Sequence, residues 1–469
     1  MDWLKLAEAK REQILAQTAR LVSVNSIEQP ETADEKANAP YGAAVRQVLD
    51  YALEMGRDAG FVTRDFSGKV GRVECGAGDR IFGILAHLDI VPAGEGWLTD
   101  PFQAVIKDGR IHGRGVVDDK GPVAAVLAAM EIASSLVPAP KCKVHLILGC
   151  NEETGMGCMK HYIQHVPDQP DFGVTPDNAF PVIFGEKGIV RAQVAGPVSS
   201  AIVSFEAGTR PNVVPNLAKA RVALGSLAEE NVRRSFADYL SQFQLEGGLS
   251  FEGGCAQVEL KGVSCHSQEP RDGVNAATHL FTWIGTCFQD QAAAQIGALF
   301  TDNLGGGCDL AFTGRYMREL TLSLGIAKIE NGVLTLVIDI RHPNDITPDE
   351  ILSRLQGSVQ GCCGEWTVTL PSVSPYLFED PDGPFIRQLV GIYRDITGDT
   401  QTPPQVTGGG TYARMFKNHV AFGPLFPTDP PLPEGVGSLH QANEAIFVDH
   451  LVELCAIYAR LLYEVMTGA

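Results

Sequence analysis

An α/β protein whose first domain is interrupted by a second is the fold class this sequence predicts. Three observations predict it. Short apolar runs that stop abruptly at polar residues alternate with helix-like stretches early in the chain. The texture changes after Gly185-Glu186-Lys187-Gly188 to a region dense in strand patterns. A turn-like stretch, Pro381 to Pro384, then leads back to helical periodicity. Alternating strands and helices mark a layered α/β arrangement, and a chain of 469 residues is too long for one core. The expected division is a discontinuous domain of residues 1–188 and 384–469, with residues 189–383 as an inserted α+β domain.

Residues 3–24 carry the spacing of an amphipathic helix, and residues 41–60 carry a second. Arg80-Ile-Phe-Gly-Ile-Leu-Ala-His87 is continuous and apolar, as a strand buried on both faces should be, with His87 at its carboxyl tip. Residues 105–113 predict a hairpin around Asp108-Gly109. Gly121-Pro122 opens an Ala-rich helix that reaches Leu136; proline suits a first turn, where its missing N–H would be unpaired anyway. Val144 to Gly149 is another apolar strand, ending at Asn151-Glu152-Glu153.

In the inserted region, helices are expected near residues 228–243 and 275–288. Asn331-Gly332 predicts a two-residue hairpin turn. Thr347-Pro348-Asp349-Glu350 reads as a capping box that opens a further helix. After the return come a helix near residues 385–397, the run Gly408-Gly409-Gly410-Thr411 before a further helix, a Pro-rich loop over residues 424–433 and a final helix over residues 445–466.

The net charge of −19 argues against nucleic acid as a partner, because that role needs a basic face. No uncharged apolar run approaches the ~18 residues that a spanning helix needs, so no membrane association is expected. The first dozen residues are too charged for a secretory leader. The eleven cysteines are scattered and include no C-x-x-C pair, and the adjacent Cys362-Cys363 has no metal-ligand spacing. Reduced thiols in the cytoplasm are the simplest reading.

Four separated stretches carry metal-ligand residue types: His87-Leu-Asp89, Asp118-Asp119-Lys120-Gly121, Asn151-Glu152-Glu153 and His440-Gln-Ala-Asn-Glu444, with Thr-Pro-Asp177 between the last two. Imidazole and carboxylate are the ligands that hold zinc-like ions. Each stretch has a plain structural reading when taken alone. His87 could be a buried, hydrogen-bonded histidine, Asp118-Asp119 a helix cap, Glu152-Glu153 a surface pair, and His440 and Asp177 ordinary loop residues. Together they weigh differently. Two adjacent acids closing an apolar strand need a cation or a proton, and active groups of α/β sheets gather at the carboxyl ends of strands.

At these residues the chain resembles the co-catalytic zinc peptidases that include carboxypeptidase G, aminoacylase, the desuccinylases and dipeptidases. The matching motifs are Ala86-His87-Leu-Asp89, Gly113-Arg114-Gly115-Val-Val-Asp118-Asp119-Lys120-Gly121, Asn151-Glu152-Glu153-Thr-Gly155 and the late His440. Thr175-Pro-Asp177, Gly185-Glu-Lys-Gly188 and Gly408-Gly-Gly-Thr-Tyr-Ala-Arg414 point to the branch of dipeptidase V and the Xaa-His dipeptidases. The resemblance implies a catalytic domain with a mixed sheet flanked by helices and an inserted α+β lid. It implies two divalent ions, zinc first with manganese or cobalt as substitutes. His87, Asp118 and Asp177 would hold one ion and Asp118, Glu153 and His440 the other, with a hydroxide between them. Glu152 would be the general acid/base, and Asp89 would orient His87. His112 and His145 are read as packing residues.

The same resemblance implies that His266 and Asn212 stabilise the substrate carbonyl. Arg341 is a candidate for the carboxylate of a short peptide, since arginine pairs bidentately with that group; the alternative is a salt bridge within the strand layer. Gly409, Gly410 and Thr411 are candidates for the same anion through their backbone N–H groups. The insert is about twice the length of a simple lid, and the resemblance to dipeptidase V implies two similar halves, the extra one imitating the partner domain of dimeric relatives, with His266 acting within its own chain and a monomer as the expected state. The expected activity is hydrolysis of short peptides with a free N-terminus. An N-acyl amino acid deacylase keeps the same metals with another substrate, and a non-catalytic metal-binding regulator is the reading of a different class.

Overall fold

The computed structural model describes residues 1–30, 33–199, 201–363 and 365–468. The side chain of Cys363 lies outside that description, and Cys362 is free and exposed. The chain divides into two units: Met1–Phe184 with Glu379–Gln405 and Gly410–Ala469, and Gly185–Phe378 with Val406–Gly409.

The first unit is built on a mixed sheet. Its strands run in the order Val62–Phe66, Val70–Gly76, Cys142–Gly149, Arg80–His87, Phe172–Thr175 and His419–Ala421, after which Ala421 pairs with Ile183. The four strands from Cys142–Gly149 to His419–Ala421 are parallel, and the flanking pairings are antiparallel. The register sets His87 beside Gly149, so two loops leave the same edge of the sheet side by side. The helix Lys120–Leu136 is almost wholly buried and packs against the final helix Val448–Thr467. Its alanines allow that close approach, while its leucines, valines and methionine fill the layer between helix and sheet.

Two parallel strands leave room for one ring. A Cβ on Gly83 or Gly173 would lie 2.9 or 2.6 Å from Nε2 of His419. The imidazole therefore lies flat over two glycines. His419 Nδ1 donates to the Lys417 carbonyl at 2.7 Å, and Nε2 has no hydrogen-bond partner among the described atoms.

The second unit carries an antiparallel eight-stranded sheet: Glu246–Glu252, Cys255–Lys261, Leu217–Ala223, Ile202–Ala207, Thr321–Glu330, Val333–His342, Gly188–Pro197 and Thr367–Ser374. The helices Glu229–Phe243, Ala276–Phe288, Gln291–Phe300 and Pro348–Cys363 share one apolar core with it. Asn331 and Gly332 both have positive φ, at 51° and 78°, as a tight turn between right-twisted strands demands. Thr347 Oγ1 accepts from Glu350 N–H at 3.2 Å and starts the helix after it.

Three local expectations change. The first helix is two helices, Trp3–Glu8 and Arg11–Val22, because the chain turns at Ala9-Lys10. The final helix starts at Val448, because Ala445–Phe447 is extended and pairs with Arg110–His112. The run after Gly408-Gly409-Gly410 opens only a four-residue 3-10 turn, Tyr412–Met415, since Phe416 is already extended. Helices Gly157–His165 and Gln291–Phe300 have no counterpart in the sequence reading.

His145 and His419 are each 1% exposed, and burial pushes both down to about 4. Both are neutral in the folded state. A folded pKa below the unfolded value gives stability that is complete above ~6.5 and lost as pH falls toward 4. The shift corresponds to on the order of 3 kcal/mol for each histidine at the acid end. In metal-stripped protein, the urea midpoint should fall between pH 6.5 and 4. His419→Asn, which retains a donor for the Lys417 carbonyl, should remove part of that fall; an unchanged pH profile would refute the assignment.

Candidate metal centre

Three loops converge at the carboxyl edge of the parallel strands. The strand Arg80–His87 ends on His87, and Asn151-Glu152-Glu153 follow the strand Cys142–Gly149. Asp177 follows the strand Phe172–Thr175. A fourth element, the turn of residues 113–119, brings Asp118 to the start of the buried helix. A fifth, the loop of residues 437–444, brings His440, held at φ 64°.

Asp118 lies between two imidazoles. Its Oδ1 is 2.7 Å from His87 Nε2, and its Oδ2 is 2.9 Å from His440 Nε2. Glu153 Oε1 is 3.3 Å from the same His440 nitrogen. Ligand atoms of His87, Asp118 and Glu153 all lie within 4.8 Å of one another. His87 Nδ1 donates to the Asp89 carbonyl at 2.9 Å, which leaves Nε2 as the ligating nitrogen. The Asp89 carboxylate accepts from Glu152 N–H at 3.0 Å and Glu153 N–H at 3.1 Å. Asp89 thus orients the histidine through its backbone and the two glutamates through its side chain.

The charges explain what such a cluster needs. Burial opposes ionisation of Asp118, but the two imidazoles outweigh it and hold its carboxyl well below the usual range. Burial opposes protonation of His87, yet Asp118 and Asp89 raise it well above 6.5. For His440, too, burial opposes the charge, and the bonds to Asp118 and Glu153 raise it to about 10. Glu152, Asp177 and Asp119 are all pushed well up, first by burial and then by neighbouring carboxylates. Glu153 is raised for the same reasons. Two imidazoles cannot neutralise this many acids. A divalent cation can, and it inverts the local pKa pattern.

The residues present fit such a cation. Asp119 Oδ1 and Glu152 Oε1 are buried side-chain oxygens without a hydrogen-bond partner. The donor set is imidazole and carboxylate, which suits zinc, manganese or cobalt. Asp177 belongs to the same electrostatic group, since Asp118, His87 and Glu152 all act on its carboxyl.

Other residues set this geometry, several of them inside the same motifs but with no role assigned from the sequence. Asp119 Oδ2 accepts from His87 N–H at 3.2 Å. Lys120 is fully buried, donates to the Val24 carbonyl at 2.8 Å, and is lowered by burial to about 7. Tyr412 meets the His87 ring edge-on at 6.3 Å. A Cβ on Gly149 would lie 2.1 Å from the Tyr412 hydroxyl, so the last residue of that strand must be glycine. Glu444 is fully buried and accepts from the turn that carries Asp118. Its position four residues after His440 was the only signal in the sequence.

The candidate substrate residues lie mostly in the second unit. His266 is exposed, and its Nε2 is 3.5 Å from Asn212 Nδ2; Val213 and His266 also form an antiparallel bridge. Arg341 is 3% exposed. It donates to Asp339 Oδ1 at 2.5 Å, to Asp339 Oδ2 at 3.2 Å and to the Gly408 carbonyl at 3.0 Å. Arg341 thus pairs with Asp339 within the strand layer. Gly409 N–H donates to Thr407 Oγ1, Gly410 packs against the Arg414 guanidinium, and Thr411 Oγ1 accepts from Ala413 N–H. His112 lies in the hairpin strand and His145 in the sheet.

A family model described as peptidase family M20/M25/M40 matches residues 83–464. The relative "Putative dipeptidase YtjP" of Bacillus subtilis is 34% identical over 99% of both chains. "Putative dipeptidase SSP1012" of Staphylococcus saprophyticus is also 34% identical, over 98% of this chain and 99% of its own. Among solved structures, human carnosine dipeptidase 1 is similar with a TM-score of 0.57 at 14% identity, covering 99% of both chains. The aminoacylhistidine dipeptidase of Vibrio alginolyticus gives 0.52 at 15% identity over 96% of both. These two likenesses concern the fold.

Metal binding should be visible as stability. A ligand at 1,000 times its Kd stabilises the state it binds by about 4 kcal/mol. Zinc or manganese added to stripped protein should raise Tm by several degrees. Asp118→Asn should bind less than half the wild-type metal and show no such rise; wild-type metal content in this variant would refute the role of Asp118.

Proposed function

Because the chain belongs to peptidase family M20/M25/M40 and is therefore a hydrolase of peptide bonds, we propose that it is a metal-dependent dipeptidase acting on short peptides with a free N-terminus. One observation carries this reading: Asp118 is held between His87 and His440, with Glu153 beside it and the unpartnered Glu152 Oε1 in the same buried cluster. The names of the relatives support the choice of dipeptides.

His87, Asp118 and Asp177 would hold one divalent ion, and Asp118, Glu153 and His440 the other, with zinc the first choice. Such ions supply Lewis acidity and a water acidic enough to react at neutral pH. The protein supplies the rest. Asp89 fixes the backbone of Glu152 and Glu153, so the stem of the Glu152 side chain is positioned before substrate arrives. Glu152 takes the proton of the attacking water and passes it to the leaving amine. His266, with Asn212 next to it, is the donor proposed for the developing oxyanion, a role that favours groups fixed beforehand.

Arg341 bonds Asp339 and the Gly408 carbonyl, and its proposed part is to hold the Gly408 segment and to meet the peptide carboxylate. The backbone around Gly409, Gly410 and Thr411 is proposed for the same anion. The described cysteines are all free, and among the described residues no helix is long and apolar enough to cross a membrane. Both facts are compatible with a cytoplasmic enzyme, and the length of the insert favours a monomer.

Glu152→Ala should keep both metals and lose ~10²–10⁴-fold in kcat. Wild-type turnover in that variant would sink the assignment. Unblocked dipeptides should be cleaved, whereas N-acetyl and N-succinyl amino acids should not; the reverse preference would identify a deacylase on the same scaffold.

A further inference from the structure

His440 and Asp118 are far apart in sequence, and their side chains meet at 2.9 Å. Something must set that separation, because His440 stands on an exposed loop. The loop is closed at its base: Gly437 N–H donates to the Asn443 carbonyl at 2.9 Å, and Ala445 N–H to the Gly437 carbonyl at 3.1 Å. Closure shapes the loop but does not place it against Asp118.

Glu444 does both. It is 0% exposed. Its carboxylate accepts from Arg114 at 2.6 Å, Gly115 N–H at 3.1 Å, Val117 N–H at 2.9 Å and Asp118 N–H at 3.3 Å. Its own carbonyl accepts from Gly113 N–H at 3.0 Å. One side chain thus grips the whole turn that delivers Asp118, and it lies four residues from His440 on the same short segment. We propose that Glu444 is the positioning residue of the metal centre. It fixes His440 against Asp118 and so decides whether the ion shared by Asp118, Glu153 and His440 is held.

The other ion shares Asp118, but its remaining ligands depend on Glu444 less. His87 stands on a central strand, and Asp119 holds the His87 backbone from the helix side at 3.2 Å. Loss of Glu444 should therefore separate the two metal affinities. A purely structural role would lower stability and leave both affinities in proportion.

The inference rests on the two-metal reading, and one titration tests each separately. Stripped wild-type chain titrated with manganese in a calorimeter should take up two ions; uptake of none would overturn the two-metal reading itself. Glu444→Gln keeps the size of the side chain but replaces one acceptor oxygen with a donor facing donors. It should retain one tight site and lose at least tenfold in affinity at the other. Two sites of wild-type affinity would overturn the role of Glu444. A fall of equal size at both sites would also overturn it. Should that variant fail to fold, one alanine inserted between Gln441 and Ala442 leaves Glu444 in place and lengthens its tether to His440 at an exposed loop. It should again cost one ion selectively, and two unchanged affinities would overturn the proposal.

Discussion

One carboxylate caught between two imidazoles organises the first unit. Asp118 reaches His87 with one oxygen and His440 with the other. Those partners come from opposite ends of the chain, so the contact can exist only when the parallel sheet, the buried helix Lys120–Leu136 and the segment before the final helix are assembled. The local sequence around Asp118 serves the same end. Gly113 and Gly115 adopt φ of 156° and 90°, values that side chains rarely tolerate, and this lets the turn present its N–H groups inward to Glu444.

Such a centre is expensive for the fold. Several acids are buried within reach of one another, and burial alone pushes most of them toward their neutral forms. A buried ionised group is tolerated only when paired and hydrogen-bonded. Asp118 meets that condition through its histidines, while the side chain of Asp89 accepts from two backbone N–H groups and that of Glu444 from four donors. Glu152 and Asp119 each keep an oxygen without a partner. These two are the groups whose cost only chemistry can justify, and they adjoin the ligands. Buried oxygens without a partner thus lie where a cation and a water would act.

Much of this was legible in the sequence, for physical reasons that differ by element. The strand Arg80–His87 was readable to its ends because a run buried on both faces has no polar interruption. The turns at Asp108-Gly109 and Asn331-Gly332 were readable because few residues accept positive φ. The convergence of His87, Asp118, Glu153 and His440 was not readable from periodicity at all; the motif resemblance supplied it. Arg341 shows the opposite limit. A strand arginine looks the same whether or not it pairs within its own layer, and only its distances to Asp339 and Gly408 reveal that pairing. The start of the final helix was hidden for another reason. Ala445-Ile446-Phe447 can be read as helix or strand, and a pairing with the distant Arg110–His112 decides it.

That last pairing also explains why so few residues suffice to assemble the centre. The extended segment Ala445–Phe447 aligns with Arg110–His112, and immediately beyond it Glu444 meets the turn that begins at Gly113. Register in one short antiparallel pair therefore sets register in the metal centre, since a slip by one residue would turn Glu444 away from the N–H groups it accepts from. The histidine ligand does not need to find its partner by itself. The strand pairing brings the loop to the turn, Glu444 locks the two together, and His440 is carried into place at the loop's outer end. The exposed ligand thereby inherits its precision from buried neighbours, and four donors offset part of the cost of burying Glu444.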